Sequence, residues 1–387
     1  MSGEASSARA EPWPAPAVRA TLRLQVESSS EGWILNLGGV ARRLRLDHVG
    51  RLASLPSVLD GAAFAALPLA LREGRPLHVE GRLSRGALRN LRELAEAWAD
   101  WSPERFQAVA VSCDEVADDR PMSGGAATAA WSGDLRSTFA ALGGEPSLTE
   151  AGFRIDEVVH VTGLSDPPLT ADAAARLAEA FAGLGIALTL VRTNAAEAGF
   201  VDPAIGVLPL VTAALHLVSD GRVGTTVHAR ARPMGAQLVR PRPEPTLGDS
   251  HSGDRLRVIA VGGTTSAPVM AAHVAGRVGA AGLLDVCRAS GFRAPRCGRC
   301  RDCAIIDLGL VGAGLAEGGA AVTLPDPWLE DAGVAAEEAL ALWDWSGPGR
   351  LRARLAARVA ARDLSRARRD QAHWREAQKG AAEPWPR

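Results

Sequence analysis

The chain contains no tyrosine and only one lysine, Lys379, so arginine carries almost all of its positive charge. Schiff-base chemistry and lysine-dependent phosphate loops both need an amine in the body of the protein, where this sequence offers none. No apolar run approaches the ~20 residues that a membrane-spanning helix needs, and residues 1–16 lack the apolar segment of a secretion signal. With a formal net charge of −1, the composition predicts a cytoplasmic protein with no membrane partner.

Cysteine is also scarce, but four of the five cysteines fall in one window with the spacing C-x9-C-x2-C-x2-C. They are Cys287, Cys297, Cys300 and Cys303. A C-x2-C pair directs two thiolates at one point, and two further thiolates complete the tetrahedron of a closed Zn²⁺ site. Four thiolates leave no open position for water, which indicates a structural zinc ion. An iron–sulfur cluster and a disulfide pair are the alternatives.

Hydrophobic periodicity divides the rest of the chain into segments. After a disordered tail at 1–18, residues 19–113 are predicted to form a small α+β module, with a helix that begins after the N-cap Ser84 and ends before Pro103. Its predicted strands are Thr21–Glu27, Trp33–Leu37, Arg43–Leu46, Pro76–Gly81 and Gln107–Cys113. Residues 114–130 are acidic and then glycine-rich, which predicts a linker.

From residue 131 onward, strand and helix signals alternate, which predicts a Rossmann-like parallel sheet within a domain spanning 131–325. The predicted strands are Glu157–Thr162, Ala187–Arg192, Arg222–Val227 and Arg255–Val261. The predicted helices are Leu135–Leu142, Ala171–Leu184, with Thr170 as its N-cap, and Pro203–Val218. Residues 330–387 are predicted to form a helical, arginine-rich extension, either a solvated amphipathic helix or a contact for a partner or nucleic acid.

The first strand-to-helix connection of this domain is Trp131-Ser132-Gly133-Asp134-Leu135-Arg136-Ser137. Open α/β sheets bind ligands at such places. The segment resembles the SGGxDS signature of PP-loop ATP pyrophosphatases and adenine-nucleotide α-hydrolases. Ser132, Gly133 and Ser137 match that signature, whereas Asp134 replaces its second glycine and Arg136 replaces its aspartate.

The resemblance extends over roughly residues 20–325. Proteins of the 7-cyano-7-deazaguanine synthase type carry a downstream zinc site ending in C-x2-C-x2-C, and an uncharacterised bacterial group joins a strand–helix module to a PP-loop domain and a CGRCxxC cluster. The resemblance implies a HUP-type Rossmann-like fold, Zn²⁺, and ATP with Mg²⁺ as cofactors. It places phosphate on Ser132, Gly133, Arg136 and Ser137, and the base near Thr193 and Asn194.

The altered loop decides between two hypotheses for function. A carboxylate at Asp134 repels pyrophosphate and blocks its close approach to the backbone. We therefore expect a non-catalytic binding or scaffold subunit with a structural zinc site. The alternative is a divergent ATP-dependent adenylating enzyme of the ATP pyrophosphatase type, which activates a carboxyl or amide for ammonia or sulfur transfer. The sequence leaves open whether the chain binds a protein partner or forms a homo-oligomer. Contact with nucleic acid is expected only at the arginine-rich C-terminal helix, if at all.

Overall fold

A computed structural model of the chain describes residues 19–38, 42–48, 56–118, 125–164, 169–202, 205–219, 222–230, 249–263, 265, 267–287, 290–292, 295–297, 302–303, 305–306 and 310. The tail predicted at 1–18 and the helical extension predicted at 330–387 lie outside these residues. The strands are β1 (Leu22–Ser28), β2 (Gly32–Gly38), β3 (Arg42–His48), β4 (Leu77–Ser84), β5 (Val111–Ala117), β6 (Ala126–Ala130), β7 (Arg154–Thr162), β8 (Ala187–Thr193), β9 (Thr225–Ala229) and β10 (Arg257–Val261).

The helices begin at side-chain caps in three places. Ser84, Asp134 and Thr170 accept hydrogen bonds from the backbone amides of Ala87, Ser137 and Ala173 and so satisfy amides that the helix leaves unpaired. The helices are α1 (Asp60–Glu73), α2 (Arg85–Trp101), α3 (Leu135–Ala141), α4 (Pro146–Glu150), α5 (Ala171–Ala182), α6 (Leu208–Ser219) and α7 (Ala267–Gly276). Within the described ranges, no helix is both long and apolar enough to cross a membrane.

The ten strands of the described residues form one sheet in the order β10-β9-β6-β7-β8-β3-β2-β1-β4-β5. The strands from β6 to β10 are parallel, and their order in space, counted along the chain from β6, is 5-4-1-2-3. This is a Rossmann-type order, in which the direction of winding changes between the first and fourth strands. The fold is therefore α/β with a mostly parallel sheet, as the sequence predicts.

The N-terminal strands continue this sheet. β3 pairs antiparallel with β8, through Leu46 opposite Thr193 and His48 opposite Val191. β2 pairs antiparallel with both β1 and β3, while β4 pairs parallel with both β1 and β5. The segment predicted as an N-terminal module thus shares its hydrogen-bonded sheet with the Rossmann-type strands.

Two hydrophobic cores lie on opposite faces of the sheet. Along β7, Val159 faces the core formed with α1, α2 and α6, whereas Val158 faces the core formed with α3, α5 and α7. This alternation is expected for a strand that is buried on both faces. Helices therefore cover both faces of the parallel strands. The carboxyl ends of these strands lie along one edge of the sheet.

The structure corrects several predicted boundaries. The linker predicted over 114–130 contains the end of β5 and all of β6. β5 lies at the edge of the sheet, where its acidic residues Asp114 and Glu115 are exposed. α6 begins at Leu208 rather than at residue 203, because Gly206 has φ +79°, a left-handed conformation that a right-handed α-helix does not contain. α1 was not predicted at all, since twelve of its fourteen residues are buried and it shows no polar face.

Candidate functional site

Three of the four clustered cysteines lie together. The Sγ atoms of Cys287, Cys297 and Cys303 are all within 4.8 Å of one another, and the Cys287–Cys297 and Cys297–Cys303 pairs are 3.4 and 3.8 Å apart. Zn–S bonds of about 2.3 Å in a tetrahedron place sulfurs about 3.8 Å apart. Cys287 and Cys303 are buried and Cys297 is exposed. These three cysteines could hold a metal ion.

The cysteine loop, residues 287–303, is fixed at its start by a tight turn. The carbonyl of Cys287 accepts hydrogen bonds from the amide of Ser290 at 3.2 Å and from the hydroxyl of Ser290 at 3.1 Å. It also accepts one from the amide of Phe292 at 2.8 Å. Near Cys297, the Arg296 guanidinium donates to the carbonyl of Leu284 at 3.3 Å. These backbone contacts therefore help to set the positions of the thiols.

The chemistry of this donor set favours a single ion. Cys287, Cys297 and Cys303 are thiols and form no disulfide. Three sulfurs this close leave room for one ion at their centre, whereas a cluster of several irons and sulfides needs wider spacing. Cys300, the predicted fourth ligand, lies outside the described residues.

The Trp131–Ser137 loop lies where the sequence predicts it, at the carboxyl edge of the sheet. Residues 131–134 connect β6 to α3, and residues 135–137 begin α3. β6 and β9 are neighbours, and the change in winding direction falls between them. Crevices of this kind hold ligands in open α/β sheets. The loop therefore occupies a position at which a ligand could bind.

Within this loop, side chains already engage the polar groups that a phosphate would need. Asp134 Oδ1 accepts the Ser137 amide at 2.7 Å, and Asp134 Oδ2 accepts the Ser132 hydroxyl at 2.8 Å. The Ser132 amide donates to Ser137 Oγ at 3.1 Å. The Asp134 carboxylate and the Ser137 hydroxyl thus occupy hydrogen-bond donors at the start of α3 through contacts within the loop.

Gly133 is covered by an aromatic side chain from the cysteine loop. Gly133 has φ +81°, and a Cβ built there would lie 2.3 Å from Cε1 of Phe292. The Phe292 ring also packs at centroid distances of 5.7 Å from Trp131 and 4.9 Å from His160. Phe292 is fully buried, and burial of a phenyl ring contributes roughly 1.5–3 kcal/mol to folding.

Arg136 and the strand end of β10 are joined across the crevice. Arg136 Nη1 donates to the carbonyl of Gly262 at 3.2 Å, and the Gly262 amide donates to Glu145 Oε2 at 3.1 Å. The peptide groups that flank Gly262 are thus contacted by a guanidinium on one side and a carboxylate on the other. Arg136 therefore ties α3 to β10 in this structure.

β8 ends at Thr193, and the side chain of the next residue, Asn194, contacts the N-terminal strand β3. Asn194 Oδ1 accepts the Arg45 amide at 2.8 Å, and Asn194 Nδ2 donates to the Arg43 carbonyl at 3.1 Å. Thr193 Oγ1 accepts the Ala195 amide at 3.2 Å. Since β7 separates β8 from β6, these strand ends are about 9.5 Å from the end of β6. Both side chains satisfy backbone groups where β3 meets β8.

The predicted residues therefore form two groups. The cysteine loop and the Trp131–Ser137 loop are adjacent, whereas Thr193 and Asn194 lie apart at the β3–β8 junction. Sequence reasoning missed Phe292, which joins the first two, and Glu145, which holds Gly262. The one local signal was a lone aromatic residue within the long spacer between the first two cysteines.

Comparison of the chain with protein-family models, with curated proteins and with solved structures finds no match.

Proposed function

We propose that this protein is a non-catalytic, zinc-stabilised α/β subunit of the cytoplasm that acts by binding or scaffolding. The observation that carries the proposal is the internal bonding of the Trp131–Ser137 loop. The Asp134 carboxylate accepts both the Ser137 amide and the Ser132 hydroxyl. A bound pyrophosphate would have to displace this carboxylate, and the two negative charges would repel each other.

The proposed metal is one structural Zn²⁺ held by Cys287, Cys297 and Cys303, with Cys300 as the fourth ligand. The spacing of the three described sulfurs suits a tetrahedral ion. When bound, zinc would cross-link the cysteine loop and contribute its binding free energy to folding. It would supply no reactive position, because four thiolates complete its coordination.

A divergent adenylating enzyme is the second candidate, and one observation favours it. The Trp131–Ser137 loop follows the first strand of a parallel set ordered 5-4-1-2-3, beside the change in winding. That placement supports the HUP-type assignment and a nucleotide site with phosphate on Ser132, Gly133, Arg136 and Ser137. The Asn194 side chain bonds to β3 and the Thr193 hydroxyl accepts from the Ala195 amide, and these contacts count against a base site at those residues.

Metal analysis of the full chain followed by calorimetric titration with Mg–ATP separates these candidates. We expect one zinc per chain and no heat of nucleotide binding. Micromolar ATP binding by the zinc-loaded protein would overturn the non-catalytic proposal in favour of the enzyme. A chain purified without metal, which also fails to take up added zinc, would overturn the zinc assignment.

A further inference from the structure

Phe292 has an uncommon backbone conformation for its residue type. Its φ is +61°, and it is the one residue other than glycine with positive φ among the described residues. Such a conformation is strained in a residue with a bulky side chain and persists only where the surroundings hold it. Here the surroundings are a buried aromatic pocket on one side and the cysteine loop on the other.

The aromatic pocket is built at the carboxyl ends of β6 and β7. Trp131 packs edge-to-face against Phe181, with ring centroids 5.3 Å apart, and His160 Nδ1 lies 2.9 Å from the Trp131 carbonyl oxygen. The Phe292 ring completes the pocket against Trp131, His160 and the Cα of Gly133. Gly133 is required there, because any side chain at this position would overlap the ring.

The backbone of Phe292 is bonded on both sides. Its amide donates to the carbonyl of Cys287 at 2.8 Å, and its own carbonyl accepts from Arg176 Nη2 at 3.3 Å. Cys287 is one of the three gathered cysteines, so the ring and the candidate metal centre are separated by a single hydrogen-bonded turn. Displacement of either end of that turn must displace the other.

We infer that metal binding at the cysteine loop and packing of Phe292 on Gly133 are one linked equilibrium, so that the metal holds the Trp131–Ser137 loop closed. This inference rests on the proposed metal site. Loss of the metal frees the turn after Cys287, relaxes the strained Phe292 backbone and withdraws the ring from Gly133. Linkage is reciprocal, so a substitution that loosens the ring must also weaken metal binding, by at most the factor by which the metal favours the packed ring.

The test measures zinc affinity of the full chain by competition with a chromophoric chelator. We expect Phe292→Leu to weaken zinc binding by about tenfold, within the usual range for coupled sites. The matched control is Phe64→Leu. Phe64 is an equally buried phenylalanine in the core formed with α1, α2 and α6, so this variant should lose stability and keep its zinc affinity.

A second measurement needs no variant. Amide hydrogen exchange of the wild-type chain is compared with zinc and after its removal by a chelator. We expect faster exchange without zinc at the amides of Trp131, Ser137 and Thr138. The Trp131 amide donates to the Val159 carbonyl, the Ser137 amide to the Asp134 carboxylate and the Thr138 amide to the Asp134 carbonyl. Exchange in α6, which lies in the opposite core, should change much less.

The outcomes separate this inference from the proposal on which it rests. Thiolate coordination of the metal, shown by the absorption of Co²⁺ bound in place of zinc, together with unchanged zinc affinity in Phe292→Leu and unchanged exchange at 131–138, overturns the linkage and leaves the metal site. Absence of metal binding by the wild-type chain overturns both. Weaker zinc binding in Phe292→Leu but not in Phe64→Leu, with faster exchange at 131–138, establishes the linkage.

Discussion

Asp134 Oδ1 accepts a hydrogen bond from the backbone amide of Ser137 at 2.7 Å, and this contact holds a carboxylate at the start of α3, in the loop after β6. A side-chain oxygen at this position satisfies an otherwise unpaired amide at the start of α3. It also places a negative charge where the resemblance to PP-loop proteins puts phosphate. The same carboxylate therefore stabilises the helix and opposes an anionic ligand.

Replacement of Asp134 by glycine tests the placement of phosphate. We expect no measurable heat from the wild type, and removal of the like charge should bring Mg–ATP binding into the measurable range, a gain of at least about tenfold, since unit charges ~4 Å apart interact by 1 kcal/mol or more. Calorimetric titration measures the change. Thr170→Gly is the matched control, because it removes the equivalent cap of α5 and leaves the loop intact. Unchanged or weaker ATP binding in Asp134→Gly would show that phosphate does not bind there.

Replacement of one of the three clustered cysteines should lower the stability of the fold. Cys303 is fully buried, and Cys303→Ser would remove one of the thiolates that are placed to share an ion. Because metal binding contributes to folding, we expect a melting temperature lower by several degrees and a smaller response to added chelator. The same chain with Cys113→Ser should melt close to the wild type. Cys300→Ser should behave like Cys303→Ser.

The buried histidines predict an acid-sensitive fold. Burial lowers the pKa of His216 and of His228 from 6.5 to about 4. Between these values the unfolded chain binds protons that the folded chain does not, so stability falls as the pH drops from 6.5 towards 4. Each histidine contributes at most roughly 3 kcal/mol to this loss.

Urea unfolding at a series of pH values measures this effect. His216→Phe keeps a flat ring in the contact with Phe64 and removes one titrating group. Its stability should fall less steeply below pH 6.5, by up to about 1.4 kcal/mol per pH unit. A variant that follows the wild-type curve in this range would contradict the assignment of that proton to His216.

The buried carboxylate of Glu157 depends on Arg222. Arg222 Nη2 donates to Glu157 Oε2 at 2.7 Å, and the hydroxyl of Thr189 donates to Oε1. Arg222→Met should destabilise the fold by about 2 kcal/mol, because it leaves a buried charge without its counter-ion, although Arg222 itself is partly solvated. The control Arg154→Met breaks an exposed pair with Asp156 and should change stability by less than about 0.5 kcal/mol. Chemical denaturation of both variants gives the comparison, and equal losses would argue against a special role for burial.

Features determined by neighbouring residues were predictable from the sequence. The caps Ser84 and Thr170 are confirmed, because each bonds an amide only three residues away. The gathering of Cys287, Cys297 and Cys303 agrees with their spacing. In these cases the local pattern contains the physical cause.

Features that depend on distant packing were missed. β6 consists of four alanines and one threonine, a composition with little strand preference, and it becomes a strand because β7 and β9 flank it. α1 has no amphipathic pattern because protein surrounds it on nearly every side. The contact of Phe292 with Gly133 joins residues far apart in the chain, and no short-range signal specifies it.

The antiparallel pairing of β3 with β8 has a consequence for how the protein can be divided. A fragment that began at residue 126 would leave the backbone groups of Val191, Arg192 and Thr193 open along one edge of β8, where β3 now pairs. Exposed strand edges recruit other chains. The two halves should therefore be produced and manipulated as a single piece, and a cut in the 118–125 connection of the intact protein should leave a nicked but still associated molecule.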